Sequence, residues 1–164
     1  PLAEITYHDR YLRSPLMLLL LRDWLETLSG RQPDTRILIA TATLEARDTG
    51  EPRLLYHDWR DGDDRRAVFG ALLNPLGAAT FSEAAAHCLP HARELRLGWI
   101  DGACWRMRLD QGLGYWRTVS GVRATYSFDA APERQASRLE NHAVQVTGMD
   151  PRYPTFWYLG EVCA

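Results

Sequence analysis

The sequence predicts a single α/β domain, and three observations support this. The chain has 164 residues, of which 46% are apolar and 24% charged, so it can build one ordinary core. The first 45 residues follow a strand–helix–strand pattern, which is a βαβ unit. Two later segments alternate with period two around an Asp-Gly turn, which is typical of a β-hairpin.

The βαβ unit begins with a weakly alternating strand over residues 4–9. A Ser-Pro pair at 14–15 predicts a helix start, with serine as the N-cap and proline at the first position, where its missing N–H costs nothing. The helix covers residues 16–28 and ends at Gly30. The nearly continuous apolar run over 36–44 is typical of a parallel strand buried on both faces.

The middle of the chain predicts a loop, a helix and a strand. Turn-forming residues over 46–64 indicate an exposed loop, and either Asp63 or Asp64 can cap a helix over 65–73. Residues 79–86 then predict a strand.

The hairpin has strands over 93–97 and 104–109 with Asp101-Gly102 in the turn. The alternation places three arginines on one face of it, Arg96, Arg106 and Arg108.

The last part of the chain predicts a strand over 124–128, a helix over 132–141 and an aromatic strand or packing arm over 153–158. No repeat or linker divides the sequence, so residues 1–164 are expected to form one domain. The chain begins with proline, which suggests a segment of a longer protein.

Composition excludes several functions. All 19 basic residues are arginine, so lysine Schiff-base chemistry, a Walker lysine and a lysine general base are impossible. The net charge of −2 removes the simplest argument for nucleic-acid binding. Cys88, Cys104 and Cys163 are too widely spaced for a zinc site and favour a reducing, cytoplasmic setting. The longest apolar run, residues 16–21, is too short to span a bilayer. We expect no metal and no cofactor.

Two polar segments are the candidate site. The first follows the end of the first strand, where ligands bind in open α/β sheets. The second enters the hairpin, where His91 and Arg93 are two apart and therefore face the same side of a strand. An imidazole beside a guanidinium suits phosphate, because arginine holds its oxygens and histidine attacks phosphorus or donates a proton. The first segment contributes Asp9, Arg10, Tyr11 and Arg13.

Structural roles are the alternative for the same residues. Asp9 and Arg13 also fit an ordinary salt bridge at a helix start, or Asp9 a helix cap. His91 follows a proline and also fits a solvated residue at the start of a strand.

Both segments resemble the phospholipase D-like domain found C-terminal to MIT (microtubule interacting and trafficking) domains. That family carries a His-x-Arg-Glu-hydrophobic strand, a turn and a Gly-Leu-x-Tyr-aromatic segment, as in residues 91–97 and 112–116 here. It also opens with a strand, Asp-x-Tyr-hydrophobic-Arg and a helix, as in residues 9–13. The similarity covers residues 4–130.

The resemblance implies a phospholipase D-like fold, a mixed sheet flanked by helices. In the catalytic superfamily, a His-x-Lys element followed by Asp is used twice, and one histidine forms a phosphohistidine. Here His91 matches that histidine, Arg93 replaces the lysine and Asp101 lies near the acidic position. A second copy is absent, and single-copy members form homodimers so that two histidines meet. The MIT-linked members resemble dimeric lipid- or phosphate-binding modules.

The resulting hypothesis is a non-catalytic, phosphate-recognising module that binds nucleic-acid backbone. By resemblance, it would be attached to other domains of a larger bacterial helicase or defence protein. The first alternative is a phosphodiesterase or nuclease with His91 as nucleophile and a partner protomer's histidine as acid. The second is an anionic-lipid-binding domain, or a docking domain with the aromatic tail as its interface.

Overall fold

A computed structural model describes residues 1–30, 34–44, 59, 61–110, 112–113, 116–118, 146–149 and 157–161. Short 3₁₀ turns at Asn74–Leu76 and Ala86–Cys88 flank the third strand. The helices and strands are β1 Leu2–His8, α1 Pro15–Ser29, β2 Arg36–Ala42, α2 Gly62–Leu73, β3 Ala79–Ala84, β4 Arg93–Trp99, β5 Cys104–Leu109, β6 Trp116–Thr118, β7 Val146–Met149 and β8 Trp157–Glu161.

Six of these strands form one mixed sheet in the order β3-β2-β1-β4-β5-β8. The three strands of the two βαβ crossovers, β1, β2 and β3, are parallel. The others join antiparallel, β4 beside β1, β5 beside β4 and β8 beside β5. Strands β6 and β7 pair separately. The predicted α/β class with a mixed sheet flanked by helices is confirmed.

The ends of α1 are those that the sequence predicts. The Ser14 hydroxyl accepts a hydrogen bond from the Met17 N–H at 3.2 Å, which satisfies one of the free donors of the first turn. Gly30 ends the helix with a φ of 59°, in the left-handed region that glycine tolerates best.

The start of α2 differs from the prediction. Asp61 is the N-cap, and its carboxylate accepts from the Asp64 N–H at 2.8 Å. A cap at Asp63 or Asp64, and a helix start at 65, are therefore wrong. Asp61 is the aspartate with extended backbone, from which a side chain can reach the third helical N–H.

Both described helices pack on the same face of the sheet. Tyr7, Ile39 and Phe81 are in register across β1, β2 and β3, so their side chains share a face. Trp24 of α1 contacts Tyr7 edge-on at 6.3 Å between ring centroids, and Phe69 of α2 contacts Phe81 at 4.2 Å. This is the arrangement that two successive right-handed crossovers produce.

The opposite face, which we call the polar face, carries charged side chains on β4 and β5. Glu94 pairs with Arg108 and Arg96 with Arg106 across the two strands. On its other side, β4 pairs Glu94 with His8 of β1. The predicted common face of the three hairpin arginines is confirmed.

A buried ion pair ties α2 to the sheet. The Arg65 guanidinium donates to Glu83 from Nε at 3.1 Å and from Nη2 at 2.5 Å, and Nη2 also donates to the Ala42 carbonyl at 2.9 Å. Burial lowers the pKa of Arg65, and Glu83 opposes this shift by stabilising the charged form.

Some element boundaries also differ from the prediction. Strand β2 ends at Ala42 rather than at 44, and β3 ends at Ala84 because a 3₁₀ turn follows it. The predicted terminal strand overlaps β8 at residues 157–158. The strand expected at 124–128, the helix at 132–141 and residues 153–156 lie outside the described residues.

Candidate functional site

The candidate site begins where β1 ends. The Asp9 N–H donates to the Ala40 carbonyl at 3.0 Å and so continues the pairing of β1 with β2 by one residue. The Asp9 carboxylate is fully buried and accepts from the Tyr7 hydroxyl at 3.0 Å and from the Tyr11 N–H at 2.7 Å. The carboxylate therefore shapes the turn that leaves the strand.

Arg93 reaches this carboxylate from β4. Its Nε lies 3.5 Å from Asp9 Oδ1, an ion pair that is too long for a good hydrogen bond, and Nη1 donates to the Asp110 carbonyl. Gly112 packs against the Arg93 side chain. A Cβ there would lie 3.0 Å from Arg93 Nε, and the φ of +64° also favours glycine. The Asp110 carbonyl and Gly112 together restrict the position of the Arg93 guanidinium.

The Tyr11 ring is surrounded by three guanidinium groups. The Cζ atoms of Arg93, Arg13 and Arg10 lie 4.4, 4.7 and 5.8 Å from the ring centroid. These distances are within the range of cation–π attraction. Three positive groups thus converge on one aromatic side chain.

His91 completes the group, which we call the Tyr11 cluster: Tyr11, Arg10, Arg13, Arg93 and His91. Arg10 Nη1 lies 3.0 Å from His91 Nδ1, and the Tyr11 and His91 rings meet edge-on with centroids 6.0 Å apart. A guanidinium has no lone pair to accept with, so Nδ1 accepts and the proton of the neutral imidazole is on Nε2.

Arg10 also fixes the chain that leads to His91. Its Nη2 donates to the carbonyls of Ala86 at 2.5 Å and Leu89 at 3.2 Å. These bonds join the turn after β1 to the segment between β3 and β4, about 80 residues away in sequence. The two halves of the cluster are therefore held together by hydrogen bonds as well as by the sheet.

Burial and charge act in opposite directions on Asp9. Burial raises the pKa of its carboxyl group, while Arg93, the Tyr11 N–H, Tyr7 and Arg13 lower it. Burial and the neighbouring carboxylate raise the pKa of Tyr7 well above its ordinary value, so Tyr7 stays a neutral donor. Three guanidinium groups lie around the Tyr11 ring, and a group of positive charges of this kind attracts an anionic ligand.

The structure brings together both sequence segments of the predicted site. Asp101 is the exception. It lies in the turn at the far end of β4, roughly 20 Å of strand from the cluster, where its carboxylate accepts from the Ala103 N–H at 3.0 Å. Placing Asp101 near His91 is therefore wrong, because β4 runs away from His91 and the turn that holds Asp101 lies at the opposite end of the strand. A helix-capping role for Asp9 is also wrong, since Ser14 caps α1.

The sequence analysis assigned no role in the site to Tyr7 or to Gly112, although Tyr7 begins the first polar segment, residues 7–13. Tyr7 precedes Asp9 by two positions on β1, so a shared face was foreseeable from strand alternation. Gly112 is part of the Gly-Leu-x-Tyr segment, but its contact with Arg93 depends on tertiary structure. In the part of the chain that the structure describes, no three His, Cys, Asp or Glu side chains lie close enough to hold a metal ion.

Residues 1–161 match the family model for the C-terminal domain of the DEAD/DEAH box helicase YjiV. The chain belongs to this family. The predicted association with a larger helicase protein is thereby confirmed, whereas the phospholipase D-like resemblance stays a prediction. No curated protein and no solved structure matches the chain. Neither described helix is long and apolar enough to cross a membrane.

Proposed function

We propose that this helicase C-terminal domain binds the phosphate backbone of nucleic acid through the Tyr11 cluster. The observation that supports this most directly is the convergence of three guanidiniums on the Tyr11 ring beside an imidazole. Guanidinium forks match phosphate oxygens in geometry and charge. The Nε2–H of His91 adds a neutral donor.

The cationic side chains are held in place without a ligand. Arg10 is held by two backbone carbonyls, and Arg93 by the Asp110 carbonyl, the Asp9 carboxylate and the close approach of Gly112. Ordering these side chains on binding therefore costs little, which favours affinity. A preorganised group of this kind is what a binding site requires.

The family supports nucleic acid as the source of the phosphate. The matched family is the C-terminal domain of a DEAD/DEAH box helicase, an enzyme class that acts on nucleic acid. Contacts to phosphate position a strand without reading its sequence. We infer that the domain holds a strand for the helicase to which it is attached.

The geometry favours binding over hydrolysis. A histidine nucleophile needs a ring nitrogen with an available lone pair. In His91, Arg10 occupies the lone pair of Nδ1, and the neutral ring carries its proton on Nε2. Asp101, which the resemblance offered as the acidic partner, lies at the other edge of the sheet. His91 is therefore assigned as a donor to phosphate.

The test is binding of a fluorescent single-stranded DNA of about 16 nucleotides, followed by anisotropy over a salt series. The double variant Arg10→Gln/Arg13→Gln should lose about a hundredfold or more in affinity, because charged hydrogen bonds contribute about 1.5–3 kcal/mol each. The salt dependence should weaken as well. The control Arg22→Gln/Arg66→Gln removes equal charge from the two helices and should bind like wild type.

Three results would overturn the proposal. Equal losses in the control variant would indicate general electrostatics rather than a site. Binding to anionic vesicles without binding to DNA or RNA at low salt would support the lipid alternative. Cleavage of the strand that is abolished by His91→Ala would support the nuclease alternative.

A further inference from the structure

A second group of arginines lies on the polar face, beside the Tyr11 cluster but separate from it. Glu94 is only 6% exposed and forms ion pairs with three arginines. The distances from its carboxylate oxygens to the Nε atoms of Arg96, Arg106 and Arg108 are 2.5, 3.4 and 3.6 Å. We call these three residues the polar-face arginines.

The three arginines keep donors for a ligand. The contact of each arginine with Glu94 that is given by these distances is made through Nε, and no terminal amino group of the three donates a hydrogen bond to Glu94. The side chains of Arg96, Arg106 and Arg108 are 45, 30 and 55% exposed. Three cations around one carboxylate leave an excess of positive charge that faces solvent, which is complementary to phosphate.

The first of the polar-face arginines lies opposite the residue that follows Arg93 in β4. Glu94 directly follows Arg93, and consecutive strand residues face opposite sides of the sheet. Arg108 lies opposite Glu94, and the Arg96–Arg106 pair forms the next same-face rung, about 6.6 Å farther along β4. The two positive groups therefore form a path that passes from the carboxyl edge of the sheet onto its polar face.

We propose that the polar-face arginines bind the phosphates next to the one held in the Tyr11 cluster, so that the domain takes a single strand of nucleic acid across β4 and β5. This inference rests on the function proposed above. Because Arg93 and Glu94 face opposite sides of the sheet, a ligand that reaches both must turn around the sheet edge. A flexible single strand can make that turn, whereas a duplex with a persistence length of about 150 base pairs cannot.

Strand length separates the two groups of residues experimentally. Fluorescent DNA single strands of about 2, 4, 8 and 12 nucleotides are titrated with wild type and with the variant Arg96→Gln/Arg108→Gln. This variant removes the two more exposed arginines and leaves Arg106 to compensate Glu94, so the fold should persist, which a thermal melt verifies.

Wild type should gain affinity with strand length, and the variant should bind the shortest strand normally but lose about tenfold for the longest. Its salt slope for the longest strand should fall by about 1.4, since each lost phosphate contact contributes about 0.7 in single strands. The control Arg36→Gln/Arg66→Gln removes two exposed arginines away from β4 and β5 and should retain the wild-type length dependence. A duplex of about 12 base pairs should show no effect of the Arg96→Gln/Arg108→Gln change.

The outcomes distinguish this inference from the proposed function. If short strands depend on Arg10 and Arg13 while Arg96→Gln/Arg108→Gln keeps the wild-type length dependence, the strand path is wrong and the cluster stands. If the duplex loses as much affinity as the single strand, the single-strand assignment is wrong. If no strand of any length depends on Arg10 and Arg13, both proposals fail.

Discussion

Two arginines at the carboxyl edge of the parallel strands, Arg65 and Arg93, show how the same residue type acquires different roles. The Arg65 side chain is 2% exposed, and its Nε and Nη2 donate to Glu83 and to the Ala42 carbonyl. The Arg93 side chain is 13% exposed. Its Nε makes only a 3.5 Å ion pair with Asp9 and finds no hydrogen-bond acceptor among the described residues.

The difference separates an arginine that stabilises the fold from one that, under the function proposed above, contributes to phosphate binding. The donors of Arg65 are directed at acceptors inside the protein, so the residue joins α2 to β2 and β3. Arg93 lies farther from its carboxylate partner, Asp9, than Arg65 lies from Glu83. It stacks on the Tyr11 ring together with two other arginines.

The largest expected effect is on stability, at Arg65. Arg65→Gln should lower the free energy of unfolding by about 3 kcal/mol, because Glu83 would lose its buried partner. Urea denaturation measures this. Arg66→Gln is the matched control, since Arg66 is exposed and also contacts Glu83, at 3.2 Å, and it should cost much less stability than Arg65→Gln. Equal losses in the two variants would contradict the structural role of Arg65.

The second effect is on affinity, at Arg93. Arg93→Gln should weaken binding of single-stranded DNA about tenfold to a hundredfold, since it removes a charged fork from the cluster. Its loss of stability should be smaller than that of Arg65→Gln, because its ion pair with Asp9 is longer. Anisotropy titrations and urea denaturation of both variants check the contrast. If Arg65→Gln weakened DNA binding as much, the distinction between the two arginines would be wrong.

A smaller effect is expected at Tyr11. Tyr11→Leu removes the ring on which the guanidiniums lie and should weaken DNA binding by about two- to fivefold, in line with about 0.5–1 kcal/mol for an exposed cation–π contact. Tyr11→Phe keeps the ring and should retain wild-type affinity in the same titration. A loss in the phenylalanine variant would assign the effect to the hydroxyl group instead.

The smallest effect is a pH dependence from Asp9. Because burial raises its pKa, the folded protein holds this proton more tightly than the unfolded chain. The contribution of Asp9 to stability should therefore fall as the pH rises from about 4, the ordinary carboxyl value, through the raised pKa. Urea denaturation across pH should show wild type losing stability relative to Asp9→Asn over that interval.

His8 serves as the internal check on that measurement. Burial and Arg96 lower the pKa of His8, so its contribution changes in the other direction, with stability lost as the pH falls below about 6.5. Wild type and Asp9→Asn share His8, so its contribution cancels in their difference. A relative stability that rose with pH would contradict the assignment to Asp9.

Local signals predicted much of the fold. The Ser14 cap, the Gly30 end and the shared face of the hairpin arginines depend on neighbours within a few residues or on strand alternation. The N-cap of α2 was not predictable in this way, because three of the four residues 61–64 are aspartates and each of them can act as an N-cap. Asp61 is the N-cap because its backbone is extended.

The candidate site was also predictable from the sequence only in part. The two polar segments were recognisable from residue type and from their position after a strand. Asp101 was misplaced because its distance from His91 depends on how far β4 extends before it turns. The contact of Gly112 with Arg93 joins residues on different elements, for which the sequence has no periodic signal.

By itself, the sequence determined the βαβ unit, the hairpin and which chemical groups are present: guanidiniums, an imidazole and carboxylates, with no lysine. Only the tertiary structure decided which arginines donate to acceptors inside the protein and which of them gather around the Tyr11 ring. The reason is that hydrogen-bond donors are satisfied by whatever acceptors come within about 3 Å, and distant strands bring those acceptors together.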